Sequence, residues 1–366
     1  MKQALRGTRR IAREYTLGAI RNANNGPLSV VPSALRILRA RTRYGVGPVH
    51  YSLYRFAHIP ETQWSEYGTD DPVFKQYLLD MSSEEMRRLL RNKVLFHDHC
   101  LRHRVPTIPV VCVVGRSPDR LSADMQPVTS PERWLSVIAS APDELFVKPL
   151  DGTHGEGAFT VLRTGERFSW EGRMGTAIEL FAHLEDRLRR EKESAWLIQP
   201  RLRSHASLAS ITSPSALATV RVITHLKNGV PRLLIADLKI PGGNSTVDNF
   251  ALGATGNLLA AIDLDSGRLG TAWGSTRRDW PVIDRFHVHP DTGEAIKGFV
   301  LPFWDELVAL ALRAQQSLPL IPTVGWDIAA TDRGLIVVEA NTSYDLSILQ
   351  IAHERGLKRE IVAALR

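Results

Sequence analysis

Cysteine is nearly missing from this chain: Cys100 and Cys112 are the two thiols among 366 residues. They cannot build a disulfide framework for a protein this long, and they point to a reducing compartment. Long apolar runs are missing as well. The longest, around residues 108–114, is strand-sized, well short of the roughly 20 residues that a membrane-spanning helix needs. No secretory signal is read at the N-terminus, where arginines stand in place of an apolar core, so the expected location is cytoplasmic. Internal repeats and low-complexity tracts are lacking too. Acids are almost absent from the first 60 residues, which hold eleven Lys or Arg against Glu14 alone. With a formal net charge of +7 for the whole chain, that segment carries +10 and the remainder −3.

What is present belongs to a soluble globular protein: 43% hydrophobic and 23% charged residues, enough chain for two or three packed domains. The basic segment has helical character over residues 4–20 and 33–43, arginines on one side and Leu, Ile and Val on the other. Such helices either pack on the main body with a solvated basic face, the reading the sequence favours, or make peripheral contact with anionic lipid through residues 1–60. No nucleic-acid motif accompanies the arginines, so no specific nucleic-acid partner is expected.

Further along, Ser82-Ser83-Glu84-Glu85 opens a helix expected to run to about Arg104. Strands are expected at residues 145–149, 159–163, 195–200, 217–225 and 232–240, and helices near 176–193 and 302–317, with Pro302 in the first turn. Residues 241–257 and 264–280 read as polar, glycine-rich segments. Strands and helices do not alternate regularly, which makes the class α+β.

The most informative stretch lies near the C-terminus. Gly325-Trp326-Asp327-Ile328-Ala329-Ala330 and Leu335-Ile336-Val337-Val338-Glu339-Ala340-Asn341 flank the turn Thr331-Asp332-Arg333-Gly334 and read as a β-hairpin. Residues two apart share a face, so Glu339 and Asn341 project together and Asp327 approaches from the neighbouring strand. Three oxygen side chains on one face suit Mg²⁺. Upstream, Phe146-Val147-Lys148-Pro149 ends a strand just before Gly152-Thr153-His154-Gly155-Glu156-Gly157. Glycines bring backbone N–H groups close to phosphate oxygens, and the lysine adds a point charge. A strand follows this loop, so it is neither a Walker A loop nor a Rossmann fingerprint. Arg221 interrupts the β-branched run Thr219-Val220-Arg221-Val222-Ile223-Thr224, where an unpaired guanidinium would be costly; a phosphate, a carboxylate substrate or a structural ion pair would satisfy it. Lys93, Gln199, His205 and Asn249 are each commonplace taken singly.

In order, Lys93, Lys148 with its glycine loop, Gln199, Arg221, Asn249 and the Asp327, Glu339, Asn341 set resemble the ATP-grasp superfamily. The resemblance extends to its sugar-transfer-associated branch, related to α-L-glutamate ligases, over about residues 80–355. It implies an ATP-grasp fold of two α+β lobes holding ATP between them. The expected division is a helical basic region over 1–80, a first lobe over 81–195 and a second over 196–366. It further implies that Lys93, Lys148, Gly152, Gly155, Gly157, Gln199, His205 and Asn249 bind ATP. Asp327, Glu339 and Asn341 would hold Mg²⁺, with Mn²⁺ as substitute, and Arg221 and Lys148 would be catalytic. The implied activity is ATP-dependent ligation of a small-molecule carboxylate to an amine or thiol through an acylphosphate, in surface-polysaccharide or cell-wall precursor modification. The alternatives are an ATP-grasp kinase acting on a hydroxyl and a non-catalytic, membrane-associated ATP-binding protein.

Overall fold

The computed structural model describes residues 2–68, 72–115, 127–150, 157–191 and 195–366. The chain opens with helices α1 (Lys2–Asn25), α2 (Val30–Tyr44) and α3 (Pro48–Leu53). Gly45, at φ +74, closes α2 in the left-handed region and returns its N–H to the helix's last carbonyls. Pro48 starts α3, where its missing N–H leaves nothing unsatisfied. Then come α4 (Pro72–Asp80), α5 (Glu84–Arg91) and α6 (Lys93–Arg102).

The single helix expected from Ser83 to Arg104 is therefore two. Asn92 breaks it with extended backbone, φ −81 and ψ 108, and its side-chain oxygen accepts from the N–H groups of Val94 and Leu95 at 3.0 Å each. An asparagine that can cap the next helix competes with continuing the first. Asn92→Ala is expected to cost about 1 kcal/mol, read as a shift in urea midpoint; no shift at all would mean the cap is replaceable.

The first sheet holds β1 (Cys112–Gly115), β2 (Glu144–Pro149), β3 (Phe159–Thr164), β4 (Arg167–Trp170), β5 (Arg173–Gly175) and β6 (Ala195–Pro200). Its order is β1-β6-β2-β3-β4-β5, antiparallel at every pairing. Helices α7 (Pro131–Ala139) and α8 (Ala177–Glu191) supply Trp134, Ile138, Phe181 and Leu184 to a core shared with Leu145, Val147, Phe159 and Trp196.

The second sheet comprises β7 (Thr219–Lys227), β8 (Val230–Ile240), β9 (Leu258–Ile262), β10 (Leu269–Ser275), β11 (Ile283–Phe286), β12 (Thr323–Thr331) and β13 (Gly334–Asn341). Its order, β11-β10-β9-β8-β7-β12-β13, is again antiparallel. Alternation along these strands builds two cores. Val220, Val222, Leu238, Trp326 and Ile328 pack with α9 (Trp304–Gln316). Ile223, Ile235, Leu259 and Trp273 pack with the N-terminal helices and with α10 (Leu346–Ala352) and α11 (Lys358–Ala364).

Two expectations need correction. Residues 264–280 are not a polar loop: they contain β10, with Leu269, Ala272 and Trp273 buried. Gly270 and Gly274 disguised the strand, yet a Cβ at Gly274 would lie 2.3 Å from a Leu258 methyl carbon, so glycine there permits close strand packing. The helix expected from Pro302 begins at Trp304. The N-terminal helices pack on the body: Ile37, Ala40, Tyr51 and Leu53 are buried with sheet residues, and Asn22 and Trp280 both donate to the Ser52 hydroxyl. Cys100 and Cys112 are free and buried, and burial pushes both thiols up to about 12. Among the described residues no helix is long and apolar enough to cross a membrane.

Candidate active site

The β12–β13 hairpin turns at Thr331–Gly334. Thr331 Oγ1 donates to the Gly334 carbonyl at 2.8 Å and accepts from Arg333 N at 3.1 Å, while Gly334 takes φ +96. From the turn, Thr331 faces Gly334 and Ile328 faces Val337; then the register shifts, so that Asp327 faces Glu339. The bulge falls at Val338. Without it Asp327 would oppose Val338, and the two carboxylates would not share a row. Asn341 Nδ2 donates to Glu339 Oε1 at 3.1 Å, and both side chains are half-buried.

The row continues across the sheet. Arg221 on β7 stands opposite Asp327, and Asp237 on β8 stands opposite Arg221. Arg221 grips Asp327 with both arms of its fork, Nε to Oδ1 at 2.6 Å and Nη2 to Oδ2 at 3.0 Å. Lys239 Nζ reaches Asp327 Oδ2 at 3.0 Å and Asp248 Oδ2 at 3.3 Å, and Thr219 Oγ1 donates to the same Asp248 oxygen. Asp237 is fully buried, and neither of its oxygens has a hydrogen-bond partner among the described residues.

These placements set the protonation of the cluster. Burial by itself would raise the Asp327 carboxyl, but the charges of Arg221 and Lys239 and the fork hydrogen bonds outweigh it and hold it well below the usual range. Burial also acts against the Arg221 and Lys239 cations, yet their acidic neighbours keep both above their ordinary values. For Asp237 burial wins over the attraction of Arg221 and Lys239, pushing its carboxyl up to about 7. Glu339 is raised too, chiefly by burial and next by the Asp327 charge facing it.

The first sheet brings its lysine to the same place. Lys148, half-buried on β2, has its ammonium lowered to about 8, first by lost hydration and then by the nearby Lys93 charge, with Glu339 opposing. Lys93, the first residue of α6, donates from Nζ to the Leu150 carbonyl at 2.9 Å. Gln199 is buried on β6 and its Oε1 has no partner among the described residues. An acceptor held dry in that way suits a ligand N–H. Gly157 takes φ +72, where a Cβ would meet Pro149 Cγ at 3.3 Å. Gly152 and Gly155 lie outside the described residues. His205 caps a short helical turn through Ser207, and Asn249 Oδ1 accepts from Ala251 N at 3.2 Å, so each serves its own loop.

Asp237 was not singled out from sequence, and Lys239 and Asp248 were given no role there. The available signal was Asp237-Leu238-Lys239, two charges on one face of an otherwise apolar strand. Among the described residues no group of three or more His, Cys, Asp or Glu is placed to hold a metal ion. The donor set is a carboxylate pair plus an amide, which fits a cation that completes its shell with substrate phosphates and water. Glu339, raised by burial and then by the facing Asp327, is the kind of group a divalent cation would relieve.

The structure is similar, at a TM-score of 0.46 and 10% identity, to a biotin carboxylase in complex with an ATP analogue from Campylobacter jejuni, covering 82% of this chain and 53% of that one. It is similar, at 0.45 and 11%, to a D-alanyl-alanine synthetase A from Vibrio cholerae, covering 78% and 66%. The chain thus spans about half to two-thirds of the length of these proteins. No curated protein matches the chain. The model of the sugar-transfer associated ATP-grasp family matches residues 73–364, nearly the whole chain beyond the N-terminal helices. The chain belongs to the sugar-transfer-associated ATP-grasp family.

Proposed function

We propose that this protein is an ATP-dependent ligase that joins a carboxylate to an amine or thiol through an acylphosphate. The observation that carries the reading is the meeting of Lys148, from the first sheet, with the Asp327, Glu339 and Arg221 row of the second. Phosphoryl transfer asks little covalent chemistry of a protein; positioning and charge neutralisation do most of it. Lys93 and Lys148 neutralise the phosphates, and a bound phosphate would reverse the lowering of the Lys148 ammonium. Gln199 Oε1 accepts from the adenine amino group. Asp327, Glu339 and Asn341 would hold Mg²⁺, which supplies charge neutralisation along the phosphate chain. Arg221 and Lys148 bring positive charge to the transferring phosphoryl group and to the tetrahedral intermediate that follows. The substrate carboxylate attacks the γ-phosphorus, ADP leaves, and the amine then displaces phosphate from the acyl carbon. An acylphosphate hydrolyses readily, so the lobes must exclude water while it exists.

We take the acceptor to lie in surface-polysaccharide or cell-wall precursor metabolism, such as an amino acid joined to a sugar acid, a reading supported by the family's association with sugar transfer. Glu339→Ala is expected to keep the wild-type unfolding transition and lose turnover by at least roughly a hundredfold. With a carboxylate acceptor and MgATP, hydroxylamine is expected to trap a hydroxamate. A phosphorylated product without hydroxamate would show a kinase instead. Unchanged turnover in Glu339→Ala, or no nucleotide-dependent thermal shift of the wild type, would sink the proposal.

A further inference from the structure

Helix α2 is apolar on two opposite sides, and the fold uses one of them. Ser33, Ile37 and Ala40 are buried, with Ile37 and Ala40 in the core beneath the second sheet. At about 100° per residue, Val31, Leu35 and Leu38 fall in one narrow stripe on the far side, and they are 68%, 63% and 51% exposed. Val30, at the start of the helix, is also exposed. A lone exposed leucine needs no explanation, whereas a stripe repeating at i, i+4 and i+7 opposite a packed face does. Its borders are cationic: Arg39 and Arg43 on one side and Arg41 on the other, all exposed. Glu61 is the acid within reach, at 2.6 Å from Arg39 and 3.8 Å from Arg43, so the border stays positive.

We infer that α2 docks the protein on the surface of an anionic lipid bilayer. The Val31, Leu35 and Leu38 side chains enter the interface while Arg39, Arg41 and Arg43 meet the headgroups. Three features favour a bilayer over a protein partner. The three stripe residues are each more than half exposed, which suits insertion into a plane. The rim is net positive, three arginines against Glu61, complementary to anionic lipid. A second copy docked on the same stripe would set these arginines against their own equivalents. The arginines visible in the sequence thus become part of a lipid-facing surface once tertiary packing shows which side of α2 is left uncovered. The inference stands apart from the ligase reading, because it concerns a face the active site does not use.

The test is co-sedimentation of the full chain with phosphatidylcholine vesicles, with and without phosphatidylglycerol. Wild type is expected to pellet with the anionic vesicles and to stay in the supernatant with the zwitterionic ones. The pair Leu35→Glu, Leu38→Glu should weaken the partition by roughly tenfold or more, and Arg41→Ala, Arg43→Ala should weaken it and flatten its salt dependence. Both variants change exposed positions, and an unaltered thermal unfolding transition confirms their fold. Wild type that remains soluble with anionic vesicles, or a Leu35→Glu, Leu38→Glu variant that binds as well as wild type, overturns the inference. So does a concentration-dependent dimer abolished by that same variant, which would assign the stripe to a second copy.

Discussion

Asp327→Ala is expected to lower the free energy of unfolding by about 3–5 kcal/mol in the absence of nucleotide, the usual cost of removing one partner from a buried ion pair. Arg221 would keep its guanidinium buried, 7% exposed, with its fork empty, and Lys239 would keep only Asp248. The loss follows from the cations left behind more than from the bond removed. Glu339→Ala, by contrast, removes a half-buried carboxylate whose protonation is already favoured, and should cost far less. Urea unfolding of the two variants side by side checks this. Equal destabilisation would mean that the Arg221–Asp327 pair does not anchor the sheet. The contrast separates the two carboxylates by their partners: Asp327 is held by Arg221 and Lys239, whereas Glu339 accepts from Asn341.

The second large effect concerns Asp237. Burial lifts its folded-state pKa from 3.8 to about 7. An acid raised in this way takes up a proton on folding, so its burial penalty is complete above about pH 7 and is relieved as the pH falls toward 4. Asp237→Asn removes that titration. The stability of the variant relative to wild type is therefore expected to rise by roughly 2–3 kcal/mol between pH 5 and pH 8. Buried histidines such as His99 and His353, whose imidazoliums burial disfavours, titrate in both proteins and cancel in the difference. Urea midpoints at the two pH values provide the measurement. A difference independent of pH would show that Asp237 is ionised, or protonated, throughout. With Asp237 protonated, the charges of Arg221 and Lys239 are met by Asp327 within the sheet and by Asp248 from the loop beyond it.

The β12–β13 hairpin was readable because everything that defines it is local. The turn residues lie between two alternating runs, and Glu339 and Asn341 share a face by spacing alone. Lys148 was readable as a strand-end lysine before glycines. Asn92 was misread because a capping asparagine in the midst of helix-forming residues gives the same local pattern as a surface position. β10 was hidden by its glycines, and the need for one of them, Gly274, is visible only against Leu258. His205 and Asn249 were read from positions in loops, and the structure shows each accepting from an N–H of its own turn.

Sequence by itself determined the α+β class, the family and the hairpin with Glu339 and Asn341 in step, since these rest on periods of two and on motifs a few residues long. Tertiary structure alone decided the rest. The bulge at Val338 set Glu339 opposite Asp327, and strand pairing across 106 residues of sequence set Arg221 on Asp327. The same sheet buried Asp237 with no hydrogen-bond partner among the described residues. One packed face of α2 defined the other as free. The physical reason is that burial and ion pairing depend on which distant segments meet, and a chain's local pattern carries no record of that until the sheet has formed.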